Sequence, residues 1–133
     1  MKWSFIRAIK EDSLLEEMEA EYAIVFPSDY KELVLNNNAG IPEKTVFFAQ
    51  GETCEFERLI SIKRKDDPNI KSAMEWLEQS ESELMIPIAL DTEGSMICLS
   101  FAGAKTQVVF VGFSSGEATV LADSLTEFIA TLR

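Results

Sequence analysis

Two apolar runs joined by a short polar turn constrain the fold of this sequence most strongly. The runs are residues 85–90 and 96–101, and the turn between them is 91–94, which ends in glycine. Glycine reaches positive φ without a steric penalty, and two such runs around a turn predict a β-hairpin. Pro87 has no N–H to donate, so we expect it at a strand end, at a bulge or with its nitrogen facing solvent.

Helical patterns occupy the first third of the chain. Ser13 and Glu16 match a capping box, and apolar residues then recur at steps of three and four, which predicts a helix over about residues 13–23. Pro27 interrupts that helix, and a second short helix follows it. This second helix ends in residues 36–40, Asn-Asn-Asn-Ala-Gly, whose Asn and Gly suit a left-handed C-cap.

The middle of the chain changes from strand to helix and back to strand. Residues 45–48 are rich in β-forming side chains, and residues 53–62 alternate apolar and polar side chains until a slip at residues 58–59. Residues 70–79 then repeat apolar side chains at helical spacing, and residues 108–113 predict a further strand.

A final helix is predicted after Asp123 or Ser124, either of which suits an N-cap. Strands joined by short turns and flanked by helices at both ends predict an α+β fold with a mixed or mainly antiparallel sheet. The chain has 133 residues, of which 47% are hydrophobic and 26% are charged. We therefore expect one domain over residues 1–133 around one core.

The charge balance and the missing histidine exclude several functions. Lys and Arg number 12 against 23 Asp and Glu, which gives a net charge of −11, and there is no His. An acidic surface repels phosphate, so nucleic acid is a poor partner. Without His, the chain lacks the commonest general base and the commonest metal ligand, and we expect no cofactor and no metal.

The two cysteines, Cys54 and Cys98, are too few for a zinc site and fit reduced, buried thiols, although one disulfide remains open. Whether the two lie close in space is not set by the sequence. No apolar stretch is long enough for a signal peptide or a membrane span. We therefore expect a cytoplasmic protein without membrane contact.

One catalytic pattern occurs, in residues 112–116, where Gly-Phe-Ser-Ser-Gly matches the nucleophile elbow Gly-x-Ser-x-Gly. The elbow requires a histidine and a helix directly after Ser114, whereas residues 117–120 predict a strand or loop. We interpret the motif as a turn, and a small hydrolase using Ser114 remains the enzymatic alternative. Asp91 and Glu93 lack the spacing of a calcium loop. Because none of these patterns provides a catalytic site, the sequence predicts no enzyme.

Two acidic patches are candidate partner-binding surfaces. They consist of Glu52, Glu55 and Glu57 on the second predicted strand and the loop before it, and of Glu75, Glu78 and Glu81, which are spaced three apart along the third helix. One interpretation is a solubilising polar face, and the other is a docking surface for a basic protein. The basic run at residues 63–65 is followed by Asp66 and Asp67 and predicts a solvated turn.

Several stretches, taken in order, resemble one known family. Residues 26–33 are similar to a "P-x-D-Y-K-x-F/L" signature, and residues 36–40 stand where that family has Asn-Gly-Gly. Residues 86–94 with 97–99 are similar to "I-A-x-D-x-x-G-x-x-I/L-x-L", and residues 124–129 resemble the usual last helix. On these motifs the chain resembles the SUKH superfamily, specifically its cell-wall-synthesis-regulator-like branch. It departs from the family in having no Gly pair in residues 37–40, where Asn can also adopt positive φ.

The resemblance implies a SUKH-like α+β domain and a bacterial immunity protein that binds and neutralises a cognate toxin, frequently a nuclease. The acidic charge would then meet a basic toxin surface. The alternative is a regulatory module that binds an endogenous cytosolic protein. Trp3 and Trp76 are candidate interface anchors, although either also suits the core. The oligomeric state does not follow from the sequence.

Overall fold

The structure, a computed structural model, describes residues 1–10, 13–77 and 84–133. Four helices fall within these ranges: α1 (Ser13–Tyr22), α2 (Ser28–Asn37), α3 (Ile70–Trp76) and α4 (Leu125–Thr131). The strands of the same ranges are β1 (Trp3–Ser4), β2 (Ile41–Pro42), β3 (Val46–Ala49), β4 (Glu52–Leu59), β5 (Met85–Asp91), β6 (Met96–Ser100), β7 (Gln107–Val111) and β8 (Ala118–Ala122).

All strand pairs of the two sheets are antiparallel. β1 pairs with β2, and β3 to β8 form a six-stranded sheet in which every strand pairs with the next one along the chain. The longest excursion within this sheet lies between β4 and β5 and contains α3. The α+β prediction with a mainly antiparallel sheet is therefore confirmed.

The predicted hairpin is confirmed as β5 and β6. Gly94 closes its turn at φ 89°, and the β5–β6 pairing shifts register between Pro87 and Ala89. Pro87 thus lies at an irregularity in the ladder, where a missing N–H costs little. The predicted slip in the preceding strand is also present, as a register shift between Phe56 and Arg58 against β5.

The core forms where α4 covers one face of the sheet. Phe128 of α4 lies with its ring centroid 5.4 Å from that of Phe47 and 6.4 Å from that of Phe56, and Phe47 also meets Phe110 at 5.9 Å. These rings come from α4, β3, β4 and β7, so one aromatic cluster ties the C-terminal helix to both halves of the sheet. Edge-to-face aromatic pairs of this kind add to the stability that burial already contributes.

The N-termini of α2 and α4 are joined by Asp29. Its Oδ2 accepts hydrogen bonds from the backbone N–H of Thr126 at 3.0 Å and from the Thr126 hydroxyl at 2.9 Å. Ser124 caps α4 by accepting from the Glu127 N–H, as predicted for one of the two candidate caps. A carboxylate and a hydroxyl therefore satisfy N–H groups that the first turn of α4 leaves without helical partners.

The predicted C-cap of α2 is wrong in its details. The residue with positive φ is Ala39, at 63°, whereas Asn38 has φ −49° and Gly40 is not left-handed. Asn38 is instead held in the interior by its side-chain hydrogen bonds. Gly40 serves close packing, because a Cβ there would lie 2.8 Å from the Asn37 carbonyl oxygen and 3.3 Å from the Trp3 ring.

The helix α3 ends earlier than the sequence predicted. It ends at Trp76, and Leu77 is its C-cap with an extended backbone. The predicted end at Gln79 lies outside the described residues. At its other end Asn69 is the N-cap, with a side chain that accepts a hydrogen bond from the Ser72 N–H at 2.9 Å.

Candidate functional site

The first acidic patch lies on β4. Glu52, Glu55 and Glu57 are all exposed. Side chains alternate along a strand, so Glu55 and Glu57 lie on the face opposite the buried ring of Phe56. Glu52 lies at the start of the strand on the same face as Cys54. The structure therefore groups Glu55 with Glu57 and separates Glu52 from them.

Only one member of the second acidic patch lies among the described residues. Glu75 is exposed on α3, whereas Glu78 and Glu81 fall outside the described ranges. Glu75 is close enough to α1 to affect Tyr22, whose pKa is raised by burial first and then by the charges of Glu21 and Glu75, against a lowering by Arg64.

The ion pairs in the described part of the chain leave the β4 carboxylates without a cation. Glu21 pairs with Arg64 at 3.2 Å and with Lys71 at 3.8 Å, Glu19 pairs with Lys31 at 3.0 Å, and Asp66 lies 3.9 Å from Arg7. Three of these four pairs involve α1, and the fourth joins the N-terminal segment to the loop after β4. Within residues 1–10, 13–77 and 84–133, neither patch contributes an acid to an ion pair.

Two residues of the basic run 63–65 bind to other parts of the same chain. Arg64 pairs with Glu21 of α1, and the Lys63 ammonium donates to the Ala8 carbonyl oxygen at 3.2 Å. Asp66, expected to offset this run, instead accepts a 2.6 Å hydrogen bond from Ser61 and lies near Arg7.

Ser114 lies exposed on the turn between β7 and β8. The segment after it is the strand β8, as predicted, and a nucleophile elbow requires a helix there. The neighbouring Ser115 hydroxyl accepts from the Glu117 N–H at 3.1 Å. The geometry is that of a hydrogen-bonded turn.

Asp91 is buried, with 2% of its surface exposed, and it organises the β5–β6 turn. Its Oδ1 accepts from the Glu93 N–H at 3.0 Å and from the Ser95 N–H at 2.7 Å. The structure thus assigns the aspartate of the family-like motif to turn chemistry. No group of three or more Cys, Asp or Glu side chains suited to a metal ion occurs among the residues that the structure describes.

Both cysteines are free thiols. Cys98 is buried in β6, and burial raises its pKa to about 12. Cys54 is half-buried, and its pKa is raised by burial first and then mainly by the nearby charge of Asp91, with smaller contributions from Glu52 and Glu93. Neither thiol has the lowered pKa of a catalytic nucleophile.

The two tryptophans have different environments. Trp3 is half-buried and meets Phe56 edge to face, with ring centroids 6.2 Å apart. Trp76, at the end of α3, leaves 78% of its surface exposed. Of the two candidate anchors, Trp76 is therefore the one available to a partner.

Phe113 has a similar exposure, 70%, and the sequence predicted no role for it. The sequence predicted a strand over residues 108–113, whereas β7 ends at Val111, so Phe113 lies beyond the strand that would have buried it.

No helix in the described part of the chain has the length and apolar character to cross a membrane. A family model described as SMI1 / KNR4 family (SUKH-1) matches residues 11–131, which include every helix and the whole six-stranded sheet. No curated protein and no solved structure matches the chain.

Proposed function

Because the chain belongs to the SMI1/KNR4 family (SUKH-1), we propose that it is an immunity protein that binds a cognate protein toxin and neutralises it without catalysing a reaction. The family is consistent with immunity and regulatory roles, is generally noncatalytic and suggests binding to a protein partner. The family match over residues 11–131 is the observation that carries the proposal.

The electrostatics of the chain support a toxin with a basic surface. The net charge is −11, and the exposed carboxylates of Glu52, Glu55 and Glu57 have no cation partner among the described residues. A toxin that acts on nucleic acid needs a basic cleft, and an acidic protein is attracted to such a cleft over several ångströms. Long-range attraction of this kind raises the association rate and disfavours acidic competitors.

The remaining parts of the proposal concern the cell. We place the protein in the cytoplasm of a bacterium, where an immunity protein would meet its toxin, and we take residues 1–133 as one SUKH-like domain. The regulatory alternative predicts an endogenous cytosolic partner in place of a toxin.

The experiment is a pull-down with the toxin domain encoded by the neighbouring gene, followed by an assay of that toxin's activity. We expect the full chain to capture the toxin and to abolish its activity at a one-to-one ratio. Charge reversal at both Glu55 and Glu57 tests the β4 patch, and charge reversal at both Glu16 and Glu32, exposed on α1 and α2, is the matched control. Capture of an endogenous protein without any toxin gene nearby would favour the regulatory alternative.

A further inference from the structure

A groove of about 440 Å³ lies on the sheet face that α4 does not cover. Its walls are the end of α3, with Trp76 and Leu77, and the strand residues Met96, Val111 and Ala118. Met96 pairs with Val111, and Val111 with Ala118, so these three side chains lie side by side across β6, β7 and β8. Each described residue that lines the groove is apolar or a glycine.

Two exposed aromatic rings border this groove. Trp76 and Phe113 are 78% and 70% exposed, and both line the cavity. Val120 is 53% exposed, and through its pairing with Val109 it extends the apolar surface on the same face. Single exposed apolar residues are common, but two aromatic rings beside one apolar groove form the kind of surface that marks a protein interface.

Phe113 is held in its exposed position by backbone contacts. Its N–H donates to the Ser95 hydroxyl at 2.9 Å, and its ring lies against Gly94, where a Cβ would be 3.5 Å away. The turn that carries it is closed by a hydrogen bond from the Gly112 N–H to the Glu117 carbonyl oxygen at 3.0 Å. A turn whose backbone is held before binding loses less conformational entropy when a partner covers it.

Glutamates lie near the turn that carries Phe113. A second cavity of about 120 Å³ shares Gly112 and Phe113 with the groove but lies on the α4 side of the sheet, where Phe110 lines it, and Glu52 and Glu93 line it as well. Glu117 is exposed directly after this turn. No lysine or arginine lines either cavity within the described ranges.

We propose that this groove, bordered by Trp76 and Phe113, is the surface that docks the toxin, and that it receives a basic element of the toxin. An apolar side chain of that element enters the groove, and its Lys or Arg side chains reach around the β7–β8 turn to Glu52, Glu93 and Glu117. The inference rests on the proposed immunity function and names the surface that performs it. A second copy of this chain is the less favoured occupant, because each copy carries a net charge of −11 and like charges repel.

The proposed docking surface has aromatic residues at its centre and charged residues around them, as protein–protein interfaces do. Buried Trp and aromatic side chains dominate binding energy at protein interfaces, and a surrounding polar rim excludes water. A standard interface covers about 800 Å² on each partner. That area is about a tenth of this chain's 7494 Å² surface.

The test compares dissociation constants of the full chain and its variants for the toxin domain encoded by the neighbouring gene. We expect Trp76→Ala and Phe113→Ala each to weaken binding at least about tenfold. Phe48→Ala is the matched control, because Phe48 is also an exposed ring, 58% exposed, but lies on β3 against Arg133. We expect it to bind within about twofold of the wild type, and thermal melts establish that each variant folds.

Charge reversal separately tests the acidic rim, which consists of Glu52, Glu93 and Glu117. Glu52→Lys combined with Glu93→Lys should slow association and flatten its dependence on salt, whereas Glu32→Lys combined with Glu16→Lys on the helices should have a smaller effect. Equal effects of the two pairs would show that only net charge matters and would overturn the assignment of the rim.

A spectroscopic readout locates the contact without any change in affinity. The chain has two tryptophans, so incorporation of 5-fluorotryptophan gives two ¹⁹F resonances, which Trp76→Phe assigns. We expect toxin binding to move the Trp76 resonance and to leave that of Trp3 in place. Wild-type binding with an unmoved Trp76 resonance and unaffected groove variants would overturn the docking surface alone, whereas no wild-type binding at low salt would overturn the immunity function as well.

Discussion

The side-chain amide of Asn38 donates a hydrogen bond to the hydroxyl of Ser61 at 3.0 Å, although the two residues are 23 positions apart. Both side chains are buried, with 1% of their surface exposed. Asn38 also donates to the Arg7 carbonyl oxygen at 2.9 Å and accepts from the Ile62 N–H at 3.0 Å. One amide therefore connects the N-terminal segment, the end of α2 and the chain that follows β4.

Asn38→Ala removes all three hydrogen bonds and leaves the part-buried Arg7 carbonyl oxygen and the buried Ile62 N–H without that partner. We expect the free energy of unfolding to fall by about 2 to 4 kcal/mol, measured by chemical denaturation. Asn36→Ala is the control, since Asn36 is exposed and its side chain donates to the Glu32 carbonyl oxygen of its own helix. A loss for Asn38→Ala as small as that for Asn36→Ala would contradict the structural role of this amide.

Tyr30 carries a buried hydroxyl without a hydrogen-bond partner among the described residues, in a side chain that is 1% exposed. An unpaired buried hydroxyl lowers stability, so we expect Tyr30→Phe to leave the free energy of unfolding unchanged or to raise it by up to about 1 kcal/mol. The ring itself packs against Phe26 with centroids 5.0 Å apart, so Tyr30→Ala should cost about 3 to 5 kcal/mol. A Tyr30→Phe variant destabilised by more than 1 kcal/mol would show that the hydroxyl has a partner.

Gly40 lies where a side chain would meet backbone. A Cβ at this position would be 2.8 Å from the Asn37 carbonyl oxygen, so Gly40→Ala should destabilise the fold by about 1 to 3 kcal/mol. Gly103 is the matched control, because its nearest neighbour to a Cβ would be the Lys105 carbonyl oxygen at 3.8 Å, and Gly103→Ala should change stability by less than about 0.5 kcal/mol. Thermal melts of the two variants compare them directly, and equal melting temperatures would argue against the close approach.

The buried thiol of Cys98 predicts a loss of stability at alkaline pH. Burial raises its pKa from the ordinary value of 9.0 to about 12, so the native state keeps a proton that the unfolded chain releases above pH 9. Stability from this group is complete below pH 9 and is lost as the pH rises from 9 towards 12. Between these values the wild type should lose up to about 1.4 kcal/mol per pH unit more than Cys98→Ala, as measured by denaturation at a series of pH values. Parallel pH profiles for the two proteins would contradict the assignment.

Much of the fold follows from local pattern, because period and turn chemistry are local. The hairpin of β5 and β6, the interruption at Pro27 and the cap at Ser124 each depend on neighbours within a few positions. The cap of α2 does not, since Ala39 takes the left-handed conformation while Asn38 is held by residues 7, 61 and 62. A contact across 23 positions leaves no signal in local sequence.

The candidate site was less predictable than the fold, because it too depends on contacts between residues that are far apart in the sequence. Acidic residues could be counted along the chain, but their grouping depends on strand faces, which separate Glu52 from Glu55 and Glu57. The sequence alone does not show that Trp76 and Phe113 are exposed, because most aromatic side chains are buried in the core. Their exposure depends on how the strands and helices pack around them. The groove that they border joins α3 to the β7–β8 turn, two elements far apart along the chain.

Calorimetric titration of the full chain with the toxin domain encoded by the neighbouring gene tests the central claim most directly. We predict one-to-one binding with a nanomolar dissociation constant at about 50 mM salt, weakening as the salt rises to about 300 mM because screening shortens the reach of the acidic surface. The absence of binding at the lower salt concentration would contradict the account.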